Sequence, residues 1–400
     1  MEEMCRGLKV LDFTNNIAGP AAACMLADHG ADVIHIEKPI WGDDCRFFSP
    51  MIDGVSTTHM ALNRTKRSVV MDLKDPEAVK LVERMAAEAD VLIESGRPGV
   101  MERLGLGYEH LHSINPRLIY CSISAFGQTG PYAGKAGYDV IAQAFSGFMY
   151  YTGEPDGKPT KITSAIGDFS TAINAFGEIM TALYYRERSG IGQHIDVSLS
   201  RTLIWMNASF DYLYTGVKRK RTGNHDSFLC PYGIFKGNGE EYIVIGAVNV
   251  NLWNKLCCAM GREELANDPR YITNNDRVEH SDEVISEIET WLRSLPSVYE
   301  AAKILDEYGV PNCKLNTMED ILNDPHVQQS GWLREVPAST GVTDIKSRIT
   351  PVGLADFSEA SLRVERAHAL GEDSIDVLSE YGISREEAEM LEKKWSTKTK

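Results

Sequence analysis

Through Ile123 the chain alternates short apolar runs with amphipathic stretches, and this alternation limits the fold more than any other feature of the sequence. Leu8 to Phe13 has the continuous apolar character of a buried strand, with Gly19 and Pro20 at its exit. A helix is expected to run through Ala21, Ala22, Met25 and Leu26 to His29, where Gly30 ends it. Val33, Ile34 and Ile36 form the next strand, and Ser68 to Met71 another. Asp75-Pro76 turns the chain into a helix with Val79, Val82 and Met85 on one face. Val91 to Ile93 and Leu118 to Ile123 read as two more strands. Strands separated by helices pair in parallel, because each crossover carries the chain back across a face of the sheet. The fold class expected is α/β.

No Gly-x-Gly-x-x-Gly stands at the first strand-to-helix turn, so the sequence makes no local case for NAD or FAD. From Asp168 to Arg188, Phe169, Ala172, Ile173, Phe176, Ile179, Met180, Leu183 and Tyr184 recur at helical spacing, which predicts a long helix against the sheet or a subunit partner. Gln193 to Leu199 is expected to return to the sheet. The basic run Lys218, Arg219, Lys220 and Arg221 sits in a polar connector, where it serves as a solvated loop or as an anion contact. A strand from Tyr242 to Ala247 and helices near Leu252–Met260, Val284–Leu292 and Val298–Leu305 predict a smaller second domain. Pro351 and the polar residues after it suggest a return to the first domain. The expected division is residues 1–215 for the N-terminal part of the large domain, 216–227 for the connector and 228–325 for the small domain. Residues 326–400 are expected to form the return and a charged tail.

Composition excludes several classes. Lys and Arg number 41 against 57 Asp and Glu, a formal charge of -16 that opposes nonspecific nucleic-acid binding. No run approaches the ~18 apolar residues that cross a bilayer, and Glu2, Glu3 and Arg6 do not resemble a signal peptide. A cytoplasmic protein without a membrane partner is therefore expected. The 8 cysteines are scattered in a pattern unlike a disulfide framework or a zinc cluster. Adjacent Cys257 and Cys258 read as helix thiols. His29, His35 and His59 lack metal-ligand spacing, so no metal site is expected. Ser164 and Ser198 belong to no hydrolase motif.

Asp168 is the main candidate for chemistry. It follows Ala165-Ile166-Gly167 and directly precedes the long helix. Its carboxylate is suited to capping the free amides there. The same amides favour negative charge, so a covalent nucleophile at this place is the second reading, behind the cap. Tyr138, in Gly137-Tyr138-Asp139, is either a hydrogen-bond donor over an acyl group or an interior aromatic with a polar tip. Arg64, Lys66 and Arg67 lead into a strand; with Arg97 and Arg103 they are either a phosphate grip or ordinary surface charge.

Taken in order, the motifs resemble the class III CoA-transferase family, which also contains acyl-CoA racemases. The resemblance covers nearly the whole chain. It runs from Ala18-Gly19-Pro20 through Leu26-Ala27-Asp28, Gly30-Ala31-Asp32-Val33-Ile34 and Glu37-Lys38-Pro39 with Gly42-Asp43-Asp44. It continues in Leu62 to Ser68, Asp72-Leu73-Lys74, Arg97-Pro98-Gly99, Arg103-Leu104-Gly105, Ser124 to Gly127 and Gly130-Pro131-Tyr132, and ends in Gly137-Tyr138-Asp139 and Gly167-Asp168.

The resemblance implies a Rossmann-like large domain, a smaller α/β domain and an interlocked homodimer. It implies coenzyme A as part of the substrate, with an acyl-CoA and small carboxylic acids as partners and no metal. The family's covalent nucleophile falls on Asp168, and Ile17 and Tyr138 fall at the acyl site. Arg64, Arg67 and Arg103 become the candidates for CoA contacts. Racemases carry histidine where this chain has Tyr138, which separates it from them; a noncatalytic CoA-binding protein is the other alternative. Ile17 stands where the formyl- and oxalate-transferring branch has glutamine, and that branch's glycine-run loop has no counterpart around Asn224 to Cys230. Both departures count against a formyl or oxalate substrate.

Overall fold

The computed structural model describes residues 2–207, 210–218, 220–343 and 347–396. Six parallel strands form the main sheet: β1 (Lys9–Phe13), β2 (Asp32–Glu37), β3 (Arg67–Val70), β4 (Val91–Glu94), β5 (Ile119–Ser124) and β6 (Gln193–Ser198). Their spatial order is β3-β2-β1-β4-β5-β6, and every pairing is parallel. The chain therefore winds outward from β1 in one direction and then from β4 in the other. The strand order reverses between β1 and β4, and there the loops leaving the two carboxyl ends diverge and open a crevice.

Each strand predicted in the N-terminal segment is present, with ends shifted by a residue or two. Buried strands read as near-continuous apolar runs because both faces of a parallel sheet are covered; β4 and β5 are buried at every residue. Helix α1 (Ala18–Asp28) starts three residues before the expected Ala21, since Pro20 is tolerated in its first turn. Helix α2 (Pro76–Glu88) is capped by the Asp75 side chain on the Glu77 amide and buries Leu81, Val82 and Met85.

The chain divides into two compact units. One comprises Met1–Gly147, Ile162–Ala208 and Gln329–Lys400, the other Phe148–Lys161 and Ser209–Gln328. In the first unit the C-terminal segment closes the core. Val377, Leu378, Ala388, Leu391 and Trp395 share one apolar cluster with Val69, Val70, Leu81 and Met85, and the Trp395 indole donates to Asp75 at 3.1 Å. In the second unit, β7 (Tyr232–Lys236), β8 (Tyr242–Gly246) and β9 (Asn312–Lys314) form an antiparallel sheet in the order β9-β8-β7. Phe235, Ile243, Ile245, Trp253, Leu256 and Ile288 build its core.

Two expectations change here. Phe148–Lys161 was expected within the large domain, but it groups with the second unit. Arg221 ties it there, its guanidinium donating to the carbonyls of Tyr150, Glu154 and Gly157 at 3.0–3.2 Å. This member of the basic run is a clamp on backbone. Lys218 and Lys220 are exposed, and Arg219 lies outside the described residues.

The long helix α4 (Ile166–Ser189) buries Ala172, Ala175, Ile179, Ala182 and Leu183, and α1 packs against it. Phe169, Ile173 and Tyr184, predicted on the buried stripe, are exposed in the single chain. After α4 the chain re-enters the sheet through Gly192. A Cβ on Gly192 would stand 2.1 Å from the Leu118 carbonyl oxygen and 2.5 Å from the Arg117 carbonyl carbon, and backbone of a central strand's lead-in cannot step aside as a side chain can. Gly192→Ala should destabilise the first unit by ~2–3 kcal/mol, visible as a lowered midpoint in thermal or urea denaturation.

Candidate active site

A cleft of about 790 Å³ opens at the carboxyl ends of the central strands. Asn15, Asn16, Ile17, Ala18 and Gly19 from the β1–α1 turn line it, with Ser95 after β4 and Ser124 and Ala125 at the end of β5. Asp44, Phe47 and Phe48 close one side. Tyr138, Asp139 and Val140, at the start of α3 (Asp139–Phe145), join Asp168 on the other. Sequence-predicted Ile17, Tyr138 and Asp168 thus meet in one place. A larger hollow of about 940 Å³ runs along β6, α4 and α5 (Leu199–Met206), but Asp168 does not line it.

Asp168 occupies the third position of α4, whose N-cap is Ala165 with no side-chain cap bond. The capping role considered for Asp168 belongs instead to Asp139. One oxygen of Asp139 accepts from the Gly167 amide at 2.7 Å and the other from the Gln143 side-chain amide at 2.7 Å. Gly167 is required for this contact, because a Cβ there would approach the Asp139 oxygen to 2.8 Å. With its helix end satisfied from outside, the Asp168 carboxylate makes no hydrogen bond or ion pair among the described residues. Burial first, and then the Asp139 charge, push its pKa up to about 7. Paired carboxylates in a cleft are a physical signature of an active site.

The start of α1 lines the same cleft and offers donors. The first-turn amides of Ala18 and Gly19 find no acceptor among the described residues. Helix N-terminal amides of this kind stabilise an oxyanion. Gly19 has no alternative, since a Cβ would stand 2.3 Å from that of Thr14. Tyr138 is 66% exposed, its ring lying at the mouth of the cleft rather than in the core.

The arginines separate. Arg64 is buried and donates two bonds to Asp28 at 3.0 and 2.5 Å. Arg67 is held by Asp32 at 2.9 and 2.5 Å and by Glu380 at 2.7 and 2.9 Å. Asp28 ends α1, and Asp32 and Arg67 begin strands, so both clusters lie at the amino edge of the sheet, across from the cleft. Arg103 alone of the three follows a strand's carboxyl end. It is exposed and without an ion pair among the described residues.

Sequence reasoning missed Asp139 as the cap, and also Asn15, Asn16, Ser95, Phe47 and Phe48 as wall. The Gly-Tyr-Asp triplet marked the first, but nothing local assigns the remainder, which are brought together only by the sheet. No cluster of three or more metal-ligating side chains is present among the described residues.

The sequence profile of CoA-transferase family III matches residues 5–374, and the chain belongs to that family. It is an enzyme of the class III CoA-transferase type. The chain is 39% identical over 388 residues to the succinate–glutarate CoA-transferase of Agrobacterium fabrum, covering 94% of each chain. It is 39% identical over 330 residues to the acetyl-CoA:oxalate CoA-transferase of Acetobacter aceti, covering 82% of this chain and 84% of the other. Among solved structures, a CAIB/BAIF family protein from Brucella suis superposes with a TM-score of 0.82 at 36% identity, covering 95% of this chain and 100% of that one.

A carboxyl whose folded pKa is raised keeps its proton up to about pH 7, whereas in the unfolded chain it ionises near pH 4. Its contribution to stability is therefore full below pH 4 and is lost as pH rises through 7. Asp168→Asn should raise the thermal midpoint at pH 8, by about 1–2 kcal/mol of stability after allowing for solvent at the cleft. The gain should vanish at pH 4.

Proposed function

We propose that the chain transfers CoA from an acyl-CoA donor to a small carboxylic acid, with Asp168 as covalent nucleophile. The observation that carries this reading is an unpaired carboxylate lining the same cleft as the free amides that open α1.

An Asp168 oxygen attacks the donor's thioester carbonyl. The C–S bond breaks, leaving a mixed anhydride on Asp168 and CoA thiolate. The thiolate attacks the aspartyl carbonyl, so the anhydride C–O bond breaks and the donor acid departs as carboxylate. An aspartyl-CoA thioester remains. An acceptor carboxylate attacks that thioester, giving a second anhydride and again CoA thiolate. Attack of the thiolate on the acceptor's carbonyl forms the new acyl-CoA and returns the Asp168 carboxylate. Thioester energy is conserved throughout, so ATP is not consumed. At each stage a carbonyl oxygen becomes an oxyanion, a charge we assign to the Ala18 and Gly19 amides to stabilise.

Asp139 has two roles in this scheme. It ties down the start of α4, fixing the nucleophile's position, and its charge raises the Asp168 pKa, making the carboxylate a better nucleophile when ionised. Ile17 and Tyr138 form the acyl wall, and Arg103 meets the CoA end of the substrate. A phenol where racemases place histidine speaks against racemisation. The strand order supports a Rossmann-like reading of the first unit. Exposed Ile173, Tyr184 and Trp205 support burial of this face against a second copy, as in the interlocked homodimer the resemblance implies. No described helix is long and apolar enough to cross a membrane, and we place the enzyme in the cytoplasm.

The acids named for the relatives, succinate, glutarate and oxalate, belong in the first panel. Incubation of succinyl-CoA with glutarate or oxalate, without ATP, should give acid-dependent new acyl-CoA by mass spectrometry. Asp168→Ala should lower the rate by at least three orders of magnitude while the protein stays folded; turnover near wild type sinks the assignment. Because only the ionised carboxylate attacks, kcat/KM for the donor should fall about tenfold per unit below pH 7. Arg103→Ala should raise KM for acyl-CoA severalfold, and Arg64→Lys should change it little. Equal effects in both variants would reject the separation of these arginines.

A further inference from the structure

Beneath the Asn15–Ile17 wall of the cleft lies a closed group of charges that the reaction does not use. Asp12, His35, Glu37, Asp43 and Lys66 are all nearly inaccessible to solvent. Lys66 donates to Asp12 at 2.9 Å, to the Pro20 carbonyl at 2.9 Å and to Asn63 at 2.8 Å. Arg46 forks onto Glu37 at 2.7 and 2.6 Å. Three carboxylates thus share two permanent cations. Of the neighbouring acids, Asp44 is paired with Lys38, and Asp373 lies 2.6 Å from the His368 ring.

His35 completes the set. Its Nδ1 is 2.8 Å from Asp12. Its Nε2 is 3.8 Å from Glu37 and also 3.8 Å from Asp43, and it is buried without a hydrogen-bond partner. Both ring nitrogens therefore face carboxylates, whose charge a doubly protonated imidazolium offsets and a neutral ring does not. Burial alone lowers the His35 pKa, but the Asp12 and Glu37 charges and the Asp12 hydrogen bond outweigh it and leave the value above that of an ordinary histidine.

Asp43 passes this order to the cleft. One of its oxygens accepts from the Asn16 amide at 2.8 Å and from the Cys45 amide at 2.9 Å. Asn16 has φ +74°, a left-handed conformation that a non-glycine residue holds only when its surroundings enforce it. Beside it, Asn15 and Asp44 exchange two bonds, at 2.8 and 2.6 Å, and the Asn15 amide donates to Ser95 at 2.9 Å. Asn15, Asn16, Asp44 and Ser95 all line the cleft with Asp168.

We propose that His35 is a positioning residue for substrate selection. As an imidazolium it supplies the third cation of the buried group, holds Asp43 under the Asn16 amide, and so sets the wall against which the acid lies. The inference rests on the cleft's being the reacting site, as proposed above.

The test is steady-state transfer from succinyl-CoA to the acceptor acid that wild type turns over fastest. His35→Gln leaves three buried carboxylates against two cations. It should raise KM for the acid five- to tenfold with kcat within about twofold, because the wall moves and the nucleophile does not. Adding Asp43→Asn restores the charge balance, and the new side-chain amide still offers its oxygen to Asn16. The double variant should return KM to within about twofold of wild type. A purely structural role would lower the melting midpoint without this split and without rescue. An unchanged KM in folded His35→Gln, or a double variant no better than the single, would overturn the proposal. If His35→Gln is insoluble, the double variant decides alone: soluble with wild-type KM supports the inference, while insoluble or impaired defeats it. Turnover retained in Asp168→Ala would remove the site reading itself. A dead Asp168→Ala beside an unaffected His35→Gln would remove this inference only.

Discussion

Asp12 has no access to solvent, and the first unit is organised around where its two oxygens point. One accepts the Thr14 amide and hydroxyl at 2.9 and 2.5 Å, bending the chain as it leaves β1. The other takes Lys66, just before β3, and His35, in β2. A single carboxylate thus joins three adjacent strands beside the point where strand order reverses. An ionised carboxylate is stable without water only when such partners are supplied, and its pKa is held well below the ordinary carboxylate range by the Lys66 and His35 charges, against burial that works the other way. Removing any one partner strands a charge, so the turn that walls the cleft is coupled to the sheet's own integrity.

Asp139 and Asp168 divide between them two roles that a sequence reader would give to one residue. A carboxylate before a helix is normally its cap, and a cap engaged with backbone amides is a poor nucleophile because its lone pairs are already shared. Here the cap comes from the neighbouring helix. Asp139 absorbs the Gly167 amide and the Gln143 side chain, which frees Asp168 to stand unpaired one residue further on. The same geometry places one charge near the other and adds to the burial that raises the Asp168 pKa. Satisfying the helix and activating the nucleophile are consequences of one arrangement.

Much of the first unit's sheet was legible because strands buried on both faces leave unbroken apolar runs, as in Leu118 to Ile123. The second unit was read only in part. Tyr242 to Ala247 was visible, but Tyr232–Lys236 mixes aromatic, glycine and lysine, and Asn312–Lys314 is too short to carry a pattern. On α4, periodicity found the helix and part of its buried stripe, Ala172, Ile179 and Leu183; Phe169, Ile173 and Tyr184 on the same reading are exposed in the single chain, because apolar spacing does not tell a face that meets the sheet from one left to a partner. Ile17, Tyr138 and Asp168 were placed through a resemblance spanning nearly the whole chain, since local chemistry favoured a cap for Asp168. The arginines were grouped by type and proximity in sequence. Their separation depends on which end of a parallel strand each one occupies, and that is a property of the sheet.

The histidine at position 35 carries this point furthest. In the sequence it is one of several histidines without ligand spacing, lodged in an apolar strand, and its commonest explanation is a satisfied core side chain. Its surroundings come from β1, from the turn after β2 and from the lead-in to β3, none of which is visible from its neighbours in the chain. The strand places it where three carboxylates converge and two cations already stand. A neutral apolar residue there would leave a buried charge uncompensated; a permanent cation of lysine's length would have to compete with Lys66 for Asp12. An imidazole reaches carboxylates on two sides with a rigid ring, and that geometry suits a residue whose task is to hold a wall in place.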